Sequence, residues 1–334
     1  MPKTRWSESG SGRSPTIVVF VENRPFFGAL LVHVPLLREL RRRYPARRIV
    51  LCAPFAEAGL LCELGAADAL HLCGRGWAEV RDLLRELQPE AVYLLRPYSF
   101  WLTAVVGFCR AEQRVGFRSR GGWLLLSRAV RHDVSVYRPR KYLSLLPALP
   151  FNTMGLDGYF RELAAAADRT GLPRQPFIAV LPGGGAGVFK HWGIERFLAV
   201  CSALAASEHG LRFLFVLGGA EAHLRPTIEA TLAADRVSVL IEAPVAILAA
   251  AALGARAALG NDCGPGHVFQ MCGCPYVCVM SNHDGRAADR TAEWVDTANR
   301  PFVQTSQRGE PITAIPVERV AAALERARSL PERY

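Results

Sequence analysis

Residues 255–280 read ARAALGNDCGPGHVFQMCGCPYVCVM: an apolar segment, a glycine-rich turn and a second apolar segment. Short apolar runs bounded by turn residues are typical of buried strands. A strand, a turn, a helix and another strand make a βαβ unit, and repeated units of this kind build a parallel sheet. Because ligands bind at the carboxyl ends of the strands in such sheets, the turn GNDCGPGH at 260–267 is a candidate binding site.

The same alternation runs through the rest of the chain. Before this stretch, the predicted strands FIAVL, LRFLFVL and VSVLI alternate with helical segments, and the amphipathic segment VERVAAALERARSL lies close to the end of the sequence. From Thr16 onward the predicted strands are TIVVFV, RRIVLC, AVYLLR and QRVGF. The helical segment GALLVHVPLLRELRRRYP follows the first of them, and we predict it as one helix.

The segment GLPRQP at 171–176 is rich in glycine and proline and separates two self-sufficient patterns. We therefore predict a boundary there, with residues 16–170 and 171–334 as two α/β domains. The polar residues 1–15 lack the apolar core of a secretory signal, and we expect them to be a disordered lead.

Composition and charge limit the functional classes. Half of the 334 residues are hydrophobic, yet no apolar run is long enough to span a membrane. Nine scattered cysteines favour reduced thiols and a cytoplasmic location. The net charge of +10 comes from the first half, since residues 1–170 hold 25 Lys and Arg against 15 Asp and Glu. This excess indicates an anionic partner for the first half or, alternatively, a solvated arginine-rich surface.

Two further loops end predicted strands with glycines. PGGGAGVFKHW lacks the spacing of a dinucleotide or P-loop fingerprint, but its glycines, including Gly185, expose backbone N–H groups, and Lys190 adds a positive charge. This loop either contacts phosphate or only connects a strand to a helix. In LGGAE, Gly219 and Glu221 follow a strand. Glu221 either favours a helix N-terminus or accepts hydrogen bonds from ribose hydroxyls.

The turn GNDCGPGH also allows two interpretations. Asp262 as an N-cap and Pro265 in the first helical turn would explain it without any ligand. They do not explain His267, which lies one turn further along the same predicted helix. Three strand-end loops suited to anions in one domain favour a binding site.

Taken together, PGGGAGVFKHW, GGAE and DCGPGH resemble the donor-binding domain of the heptosyltransferases, glycosyltransferase family 9. The family pattern is a PG-rich loop running into Lys-x-Trp, a strand ending in Gly-Gly-x-Glu, and a turn Asp-Ser/Thr-Gly-Pro-x-His. The resemblance implies the α/β GT-B fold, in which two Rossmann-like domains face each other across a cleft. It also implies inverting transfer from an ADP-sugar, typically ADP-heptose, with neither a metal nor another cofactor.

The resemblance assigns roles residue by residue. Lys190 and the turn from Gly264 to His267 would hold the diphosphate, and Glu221 would hold the ribose. Asp262 would contact the sugar or organise the turn. Cys263 stands where the family has Ser or Thr, and it keeps the backbone N–H while losing the hydroxyl.

The first half departs from the family at one position. The family has Gly-Asp at the start of the first helix, with the Asp as general base, and the matching pair here is Gly28-Ala29. An inverting transfer needs a group that takes the acceptor proton. We predict Glu22, at the end of the first strand, as the replacement base, and His33, one turn beyond Ala29, as the second candidate.

Several partners follow from these interpretations. We expect an ADP-sugar donor and an anionic acceptor, such as a phosphorylated lipopolysaccharide core, or else a natural product or a protein. A lipid-linked acceptor would bring the chain to a membrane surface as a peripheral protein. The alternative function is a catalytically silent relative that binds the nucleotide sugar, while nucleic-acid binding lacks a recognisable motif. Cys272, Cys274 and Cys278 are interpreted as small core residues rather than metal ligands.

Overall fold

The computed structural model describes residues 15–74, 76–119, 121–147, 155–185, 187–296 and 302–331. Its contacts divide the chain into two compact units. The first unit consists of the described residues up to Asn23 together with Leu40–Arg131. The second consists of Arg24–Glu39 together with the described residues from His132 onward. Apart from Pro15, the predicted lead at 1–15 lies outside the described residues.

Strands and helices alternate along the chain. The strands are β1 Thr16–Phe20, β2 Arg48–Ala53, β3 Ala69–Leu72, β4 Ala91–Leu94, β5 Gln113–Phe117, β6 Arg128–Val130, β7 Phe177–Leu181, β8 Arg212–Leu217, β9 Val237–Ile241, β10 Ala255–Asn261, β11 Tyr276–Met280 and β12 Phe302–Thr305. The helices are α1 Phe27–Leu31, α2 Val34–Arg43, α3 Leu60–Glu63, α4 Trp77–Leu87, α5 Phe100–Gly107, α6 Arg138–Leu143, α7 Leu156–Ala165, α8 Ile194–Ser207, α9 Arg225–Thr231, α10 Val245–Gly254, α11 Gly264–Met271, α12 Ala287–Trp294 and α13 Val317–Arg328.

Each unit is built around one parallel sheet of six strands. The first sheet has the order β3-β2-β1-β4-β5-β6, and the second has the order β12-β11-β10-β7-β8-β9. If the six strands of each sheet are numbered in chain order, both sheets have the order 3-2-1-4-5-6, which is the Rossmann order. The strand order reverses between the first and the fourth strands. The predicted parallel α/β fold is thus confirmed.

Three strands of these sheets escaped prediction. They are β3, β6 and β12, each of three or four residues at a sheet edge. By contrast, the central strands β1 and β7 are buried at every position. Strands covered on both faces are continuously apolar and easy to recognise, whereas short edge strands carry polar residues and lack that signal.

The helix predicted over GALLVHVPLLRELRRRYP is two helices. α1 ends at Leu31 and α2 begins at Val34, so that His33 lies in the break between them. Pro35 explains the break, because proline has no N–H to donate to the carbonyl of Leu31 and its ring clashes with that carbonyl. At the second position of α2, where an N–H has no partner within the helix, the same proline is tolerated.

The segment 132–170 belongs to the second unit, whereas we expected it to close the first domain. Helix α7 accounts for much of this: it packs against α10 and α11 and buries Tyr159 and Phe160. The Tyr159 hydroxyl also donates to Glu39 Oε2 at 2.8 Å. Among the described residues, no helix has the length and apolar character needed to cross a membrane.

Candidate functional site

Two loops meet at the switch point of the second sheet, where β7 and β10 lie side by side. The residue that ends β10, Asn261, is fully buried, and its Nδ2 donates to the carbonyl of Pro182 at 2.6 Å. This bond joins the glycine loop after β7 to the turn after β10. The switch point is the usual ligand site of this topology, so the sequence pattern and the sheet agree on the location.

The turn after β10 places Asp262 beside Lys190. The Lys190 Nζ donates to Asp262 Oδ2 at 2.6 Å and lies 3.4 Å from the Asp262 carbonyl oxygen. Cys263, in an extended conformation, is the N-cap of α11, and no side chain caps the helix. Asp262 is therefore not the N-cap that a plain turn would require. It is one half of an ion pair that links the two loops.

A buried tyrosine at the start of β11 supports this turn. The Tyr276 hydroxyl donates to the carbonyl of Asn261 at 2.7 Å and lies 3.9 Å from the Cys263 sulfur. A Cβ at Gly260 would come within 2.7 Å of that hydroxyl oxygen, and one at Gly266 within 2.5 Å. Both glycines are thus needed to admit the ring. Burial raises the pKa of the Cys263 thiol to about 11, so it stays protonated at neutral pH.

His267 lies in the first half of α11 and is 5% exposed. Burial lowers its pKa to about 4, so the imidazole is neutral at pH 7. Its Nδ1 has no hydrogen-bond partner among the described residues. The ring contacts Trp294 at a centroid distance of 5.4 Å. A Cβ at Gly28 would come within 2.6 Å of His267 Cδ2, so α1 lies directly against this histidine.

The glycine loop after β7 takes conformations that only glycine adopts readily. Gly185 has φ of 60° and Gly187 has φ of 152°. The Gly187 N–H donates to the Gly185 carbonyl at 2.9 Å, and the Lys190 N–H donates to the Gly187 carbonyl at 3.0 Å. This folded loop brings Lys190 to Asp262, which lies 72 positions further along the chain.

The loop after β8 carries Glu221 in a 3-10 turn at Gly219–Leu224. Its carboxylate lies against two glycines, since a Cβ at Gly183 would be 3.1 Å from Oε1 and one at Gly218 would be 2.8 Å from Oε2. Glu221 therefore approaches the glycine loop after β7. A second carboxylate, Glu242, lies against Gly219 in the same way, with 2.9 Å to Oε1, and has a left-handed φ of 49°.

The polar segment after β11 is held by its own ion pair. Arg290 Nη1 donates to Asp284 at 2.7 and 2.8 Å, and this bond lowers the pKa of Asp284 to about 2. The His283 ring contacts Phe189 at a centroid distance of 4.6 Å, and Phe189 precedes Lys190. The segment thus lies beside the glycine loop.

The two candidates for the base have different surroundings. Glu22 is half-buried, follows β1 and belongs to the first unit. His33 is 1% exposed, lies in the second unit, stacks on Tyr142 with centroids 4.8 Å apart, and engages the Leu30 carbonyl through Nδ1 at 3.0 Å. Burial lowers the His33 pKa to about 4. Both nitrogens are enclosed, which makes His33 the weaker candidate.

The sequence model of glycosyltransferase family 9 (heptosyltransferase) matches residues 80–300, about two thirds of the chain. The chain belongs to glycosyltransferase family 9. It is accordingly a glycosyltransferase, as the resemblance implied. No curated protein sequence gives a significant match.

Solved structures show that the fold of this family 9 chain is GT-B. A glycosyl transferase family 9 protein from Veillonella parvula matches with a TM-score of 0.63 at 16% identity, covering 94% of this chain and 97% of its own. The E. coli ADP-heptose LPS heptosyltransferase II gives 0.60 at 19%, with coverages of 94% and 98%. The E. coli heptosyltransferase WaaC with ADP gives 0.63 at 15%, with 93% and 99%.

Some residues of the family 9 site were not singled out from the sequence. Asn261 lies inside the quoted turn and could have been noticed as a buried amide that needs partners. Tyr276 could have been noticed as a tyrosine within a buried strand, since a buried hydroxyl usually has a hydrogen-bond partner. Glu242 and Trp294 give no local signal, because their roles depend on contacts with Gly219 and His267.

The cysteines of the family 9 chain have structural surroundings. All nine lie within the described residues, and all are free thiols. Cys272 caps the end of α11 and Cys278 is buried in β11. Burial raises the pKa of both, which disfavours the thiolate that a metal requires. Within the described ranges, no group of three His, Cys, Asp or Glu side chains could hold a metal ion.

The chemistry that this arrangement supports is the binding of an anion. The α11 N-terminus offers the positive end of a helix dipole, and Lys190 supplies a positive charge that is paired with Asp262. The neutral His267 adds a donor or an acceptor next to them. Such a set of groups suits a diphosphate.

Proposed function

We propose that the chain transfers a sugar from an ADP-sugar, first of all ADP-heptose, to a hydroxyl group of its acceptor, with inversion at the anomeric carbon. The observation that carries this proposal is the Lys190–Asp262 ion pair at the switch point, beside the N-terminus of α11 and the buried His267. Two similar structures support the choice of donor, namely the E. coli ADP-heptose LPS heptosyltransferase II and the E. coli heptosyltransferase WaaC with ADP.

In the proposed complex Lys190 donates a hydrogen bond to the leaving diphosphate. The ammonium group has three donors and no acceptor, so it can serve a phosphate oxygen while keeping one bond to Asp262. Negative charge grows on the diphosphate as the glycosidic bond breaks, and the α11 amides, Lys190 and His267 stabilise it there. Gly185 and Gly219 let the backbone approach the nucleotide, and Glu221 accepts from the ribose hydroxyls.

Asp262 has a second proposed task. Once Lys190 donates a hydrogen bond to the phosphate, the Asp262 carboxylate can also accept a hydrogen bond from a sugar hydroxyl. Cys263 contributes its backbone N–H rather than its protonated thiol. In this scheme Lys190 and the N-terminus of α11 supply the positive charge that stabilises the negatively charged leaving group.

The proton of the acceptor hydroxyl goes to Glu22 in this proposal. Ala29 stands where the family has Asp and cannot accept a proton. A carboxylate at the end of β1 is the nearest chemical equivalent along the chain. His33 stays the second candidate, in spite of its enclosed ring.

We propose an anionic acceptor, because the charge excess of the chain lies within residues 1–170. A phosphorylated lipid-linked saccharide meets this requirement and would bring the protein to a membrane as a peripheral enzyme. A natural product or a protein hydroxyl meets it only if an acidic group lies close by.

Ala29 supports a second function, namely a silent relative that binds the nucleotide sugar without turning it over. One experiment separates the two. Purified protein is titrated calorimetrically with ADP and with UDP, and is then incubated with ADP-heptose with and without candidate acceptors while ADP release is followed. Preference for ADP with release supports the transferase, binding without release supports the silent relative, and preference for UDP overturns the choice of donor.

A further inference from the structure

One corner of the first unit exposes large apolar side chains among arginines. Phe108 is 77% exposed, Leu124 71% and Trp123 51%. Arg110 and Arg128 are exposed beside them in the chain. We refer to Phe108, Arg110, Trp123, Leu124 and Arg128 as the corner surface. Large apolar groups that stand together on a surface commonly mark a binding site for another molecule.

The fold brings these residues to one place. The 3-10 turn at Gly122–Leu125 packs on α5, because a Cβ at Gly107 would come within 2.7 Å of Leu125 Cβ and one at Gly122 within 3.2 Å of Thr103 Cγ2. Phe108 directly follows Gly107. The residues that flank Trp123 and Leu124 therefore contact α5, the helix that Phe108 directly follows.

Hydrogen bonds fix the two arginine loops at the same corner. The Arg114 N–H donates to Ser127 Oγ at 2.7 Å, and the Ser127 hydroxyl donates to the Arg114 carbonyl at 3.1 Å. Arg110 precedes this contact in the loop before β5, and Arg128 begins the edge strand β6. The segments that carry Arg110 and Arg128 are thus joined to each other and directly adjoin, along the chain, the residues Phe108 and Leu124.

Charge identifies the kind of partner. Residues 110–131, RAEQRVGFRSRGGWLLLSRAVR, contain six arginines and one acidic residue, Glu112. An apolar protein partner would be matched by neutral or mixed surroundings, whereas the corner surface combines Trp, Phe and Leu with two exposed arginines and belongs to an arginine-rich segment. Tryptophan and arginine together are typical of the membrane interface, where the ring lies at headgroup level and the guanidinium meets lipid phosphate.

We propose that the corner surface binds the face of an anionic lipid bilayer. Phe108, Trp123 and Leu124 insert at headgroup depth, and Arg110 and Arg128 contact lipid phosphates. Apolar insertion and electrostatic attraction each give weak binding, and together they give stable but reversible attachment. This inference deepens the peripheral association proposed above by naming its surface, and it does not depend on the transfer reaction.

The test is flotation of the purified full chain with vesicles. One set is phosphatidylcholine alone, and the other is phosphatidylcholine mixed with phosphatidylglycerol. We expect binding to the anionic set only, weakened by salt. Trp123→Ala combined with Leu124→Ser should reduce the bound fraction at least about tenfold, and Arg110→Gln combined with Arg128→Gln should do so by roughly the same factor. Trp77→Ala is the matched control, since Trp77 is an exposed tryptophan of the same unit, on α4.

Each outcome decides the matter. Loss in both double variants but not in Trp77→Ala supports the proposal, provided that circular dichroism and ADP affinity are unchanged. Equal flotation of all variants, or no flotation of the parent chain, overturns it. A parent chain that dimerises and loses its dimer in the Trp123/Leu124 variant also overturns it in favour of a contact between copies. Because ADP binding is read separately, failure here leaves the proposed function untouched.

Discussion

The turn after β10 and the segment after β1 occupy equivalent kinds of position, each following a central strand of a Rossmann sheet, yet they are built differently. After β10, polar groups bond to one another: Lys190 to Asp262, Asn261 to Pro182, and Tyr276 to Asn261. After β1, the chain enters α1 with Gly28, Ala29, Leu30 and Leu31 all buried. One region joins its polar groups in a connected network, and the other buries an apolar helix that carries no carboxylate.

From this contrast we expect the two regions to respond separately to substitution. The turn after β10 is supported by side chains from two strands, β10 and β11, and from the loop after β7, so that substituting one member disturbs its contacts with the others. Helix α1 has no ionisable side chain, and its residues from Gly28 to Leu31 are buried. We therefore propose that the chain keeps a nucleotide site after β10 while its acceptor chemistry after β1 has changed.

The largest expected effect concerns the region after β1. Glu22→Gln should lower turnover by roughly 10²–10⁴, the usual contribution of general base catalysis, while ADP affinity is unchanged. Steady-state rates and calorimetry of the same preparation measure both. His33→Asn serves as the comparison, and a loss of turnover in it with full activity in Glu22→Gln would transfer the base to His33. Full activity in both variants would show that neither Glu22 nor His33 is the base.

Next in size is the effect of acid on the two buried histidines. The pKa of His33 and that of His267 are both lowered from 6.5 to about 4, so the folded state does not take up protons that the unfolded chain binds between these values. Stability is therefore full above about pH 7 and falls as the pH drops towards 4, by roughly 2 kcal/mol per histidine at pH 5. Urea titrations at pH 7.5 and pH 5 measure it.

Single variants assign this acid sensitivity to one region or the other. His267→Gln should remove the contribution from the donor turn, and His33→Gln the contribution from the break after α1. Each should make the pH dependence shallower than in the parent chain. An unchanged dependence in His267→Gln would mean that this ring is not held in its neutral form.

Lys190→Ala tests whether the turn after β10 and its ion pair contribute to ADP binding. We expect ADP to bind more weakly by about 1–3 kcal/mol, the range for hydrogen bonds to charged groups. Calorimetric titration measures the affinity. Arg225→Ala is the control, because Arg225 is an exposed cation of the same unit that pairs with Glu229 on α9. Undiminished ADP affinity in Lys190→Ala would restrict Lys190 to holding Asp262.

The smallest effect concerns the support beneath the turn. Tyr276→Phe removes the bond to the Asn261 carbonyl and should cost about 0.5–1.5 kcal/mol of stability. ADP affinity should fall with it if the hydroxyl positions the turn, whereas a purely structural bond would lower the unfolding midpoint alone. Parallel thermal unfolding and ADP titration distinguish the two cases.

Much of the fold follows from local pattern. Buried strands such as β1 and β7 are continuous apolar runs, and glycine and proline mark the turns between elements. The two sheets could be predicted for this reason. The edge strands could not, because their pairing depends on neighbours distant in the chain. The break at Pro35 was available in the sequence, but the apolar periodicity on both sides masked it.

The candidate site was likewise predictable from the sequence only in part. The three donor loops could be located because their glycines and charged residues follow strands in a recognisable order. The pairing of Lys190 with Asp262 could not, since either residue alone has a simpler explanation. Nor could the burial of His267 and His33, which arises from Trp294 and Tyr142 packing against the rings. Local sequence indicates which groups are present, and tertiary packing decides their protonation.

The ring of Tyr276, enclosed by Gly260 and Gly266, constrains how this protein can evolve. Neither glycine can acquire a side chain while the tyrosine remains, because the added carbon would collide with the hydroxyl oxygen. If the tyrosine is first replaced by a smaller residue, Gly266 becomes free to vary, but the carbonyl of Asn261 then loses its donor. Gly260 stays confined, because an added Cβ would also lie 2.8 Å from Leu181 Cβ and from the Leu181 carbonyl oxygen. Gly266 and Tyr276 should therefore change together in the descent of this lineage, and a lone substitution at either glycine should be purged by selection.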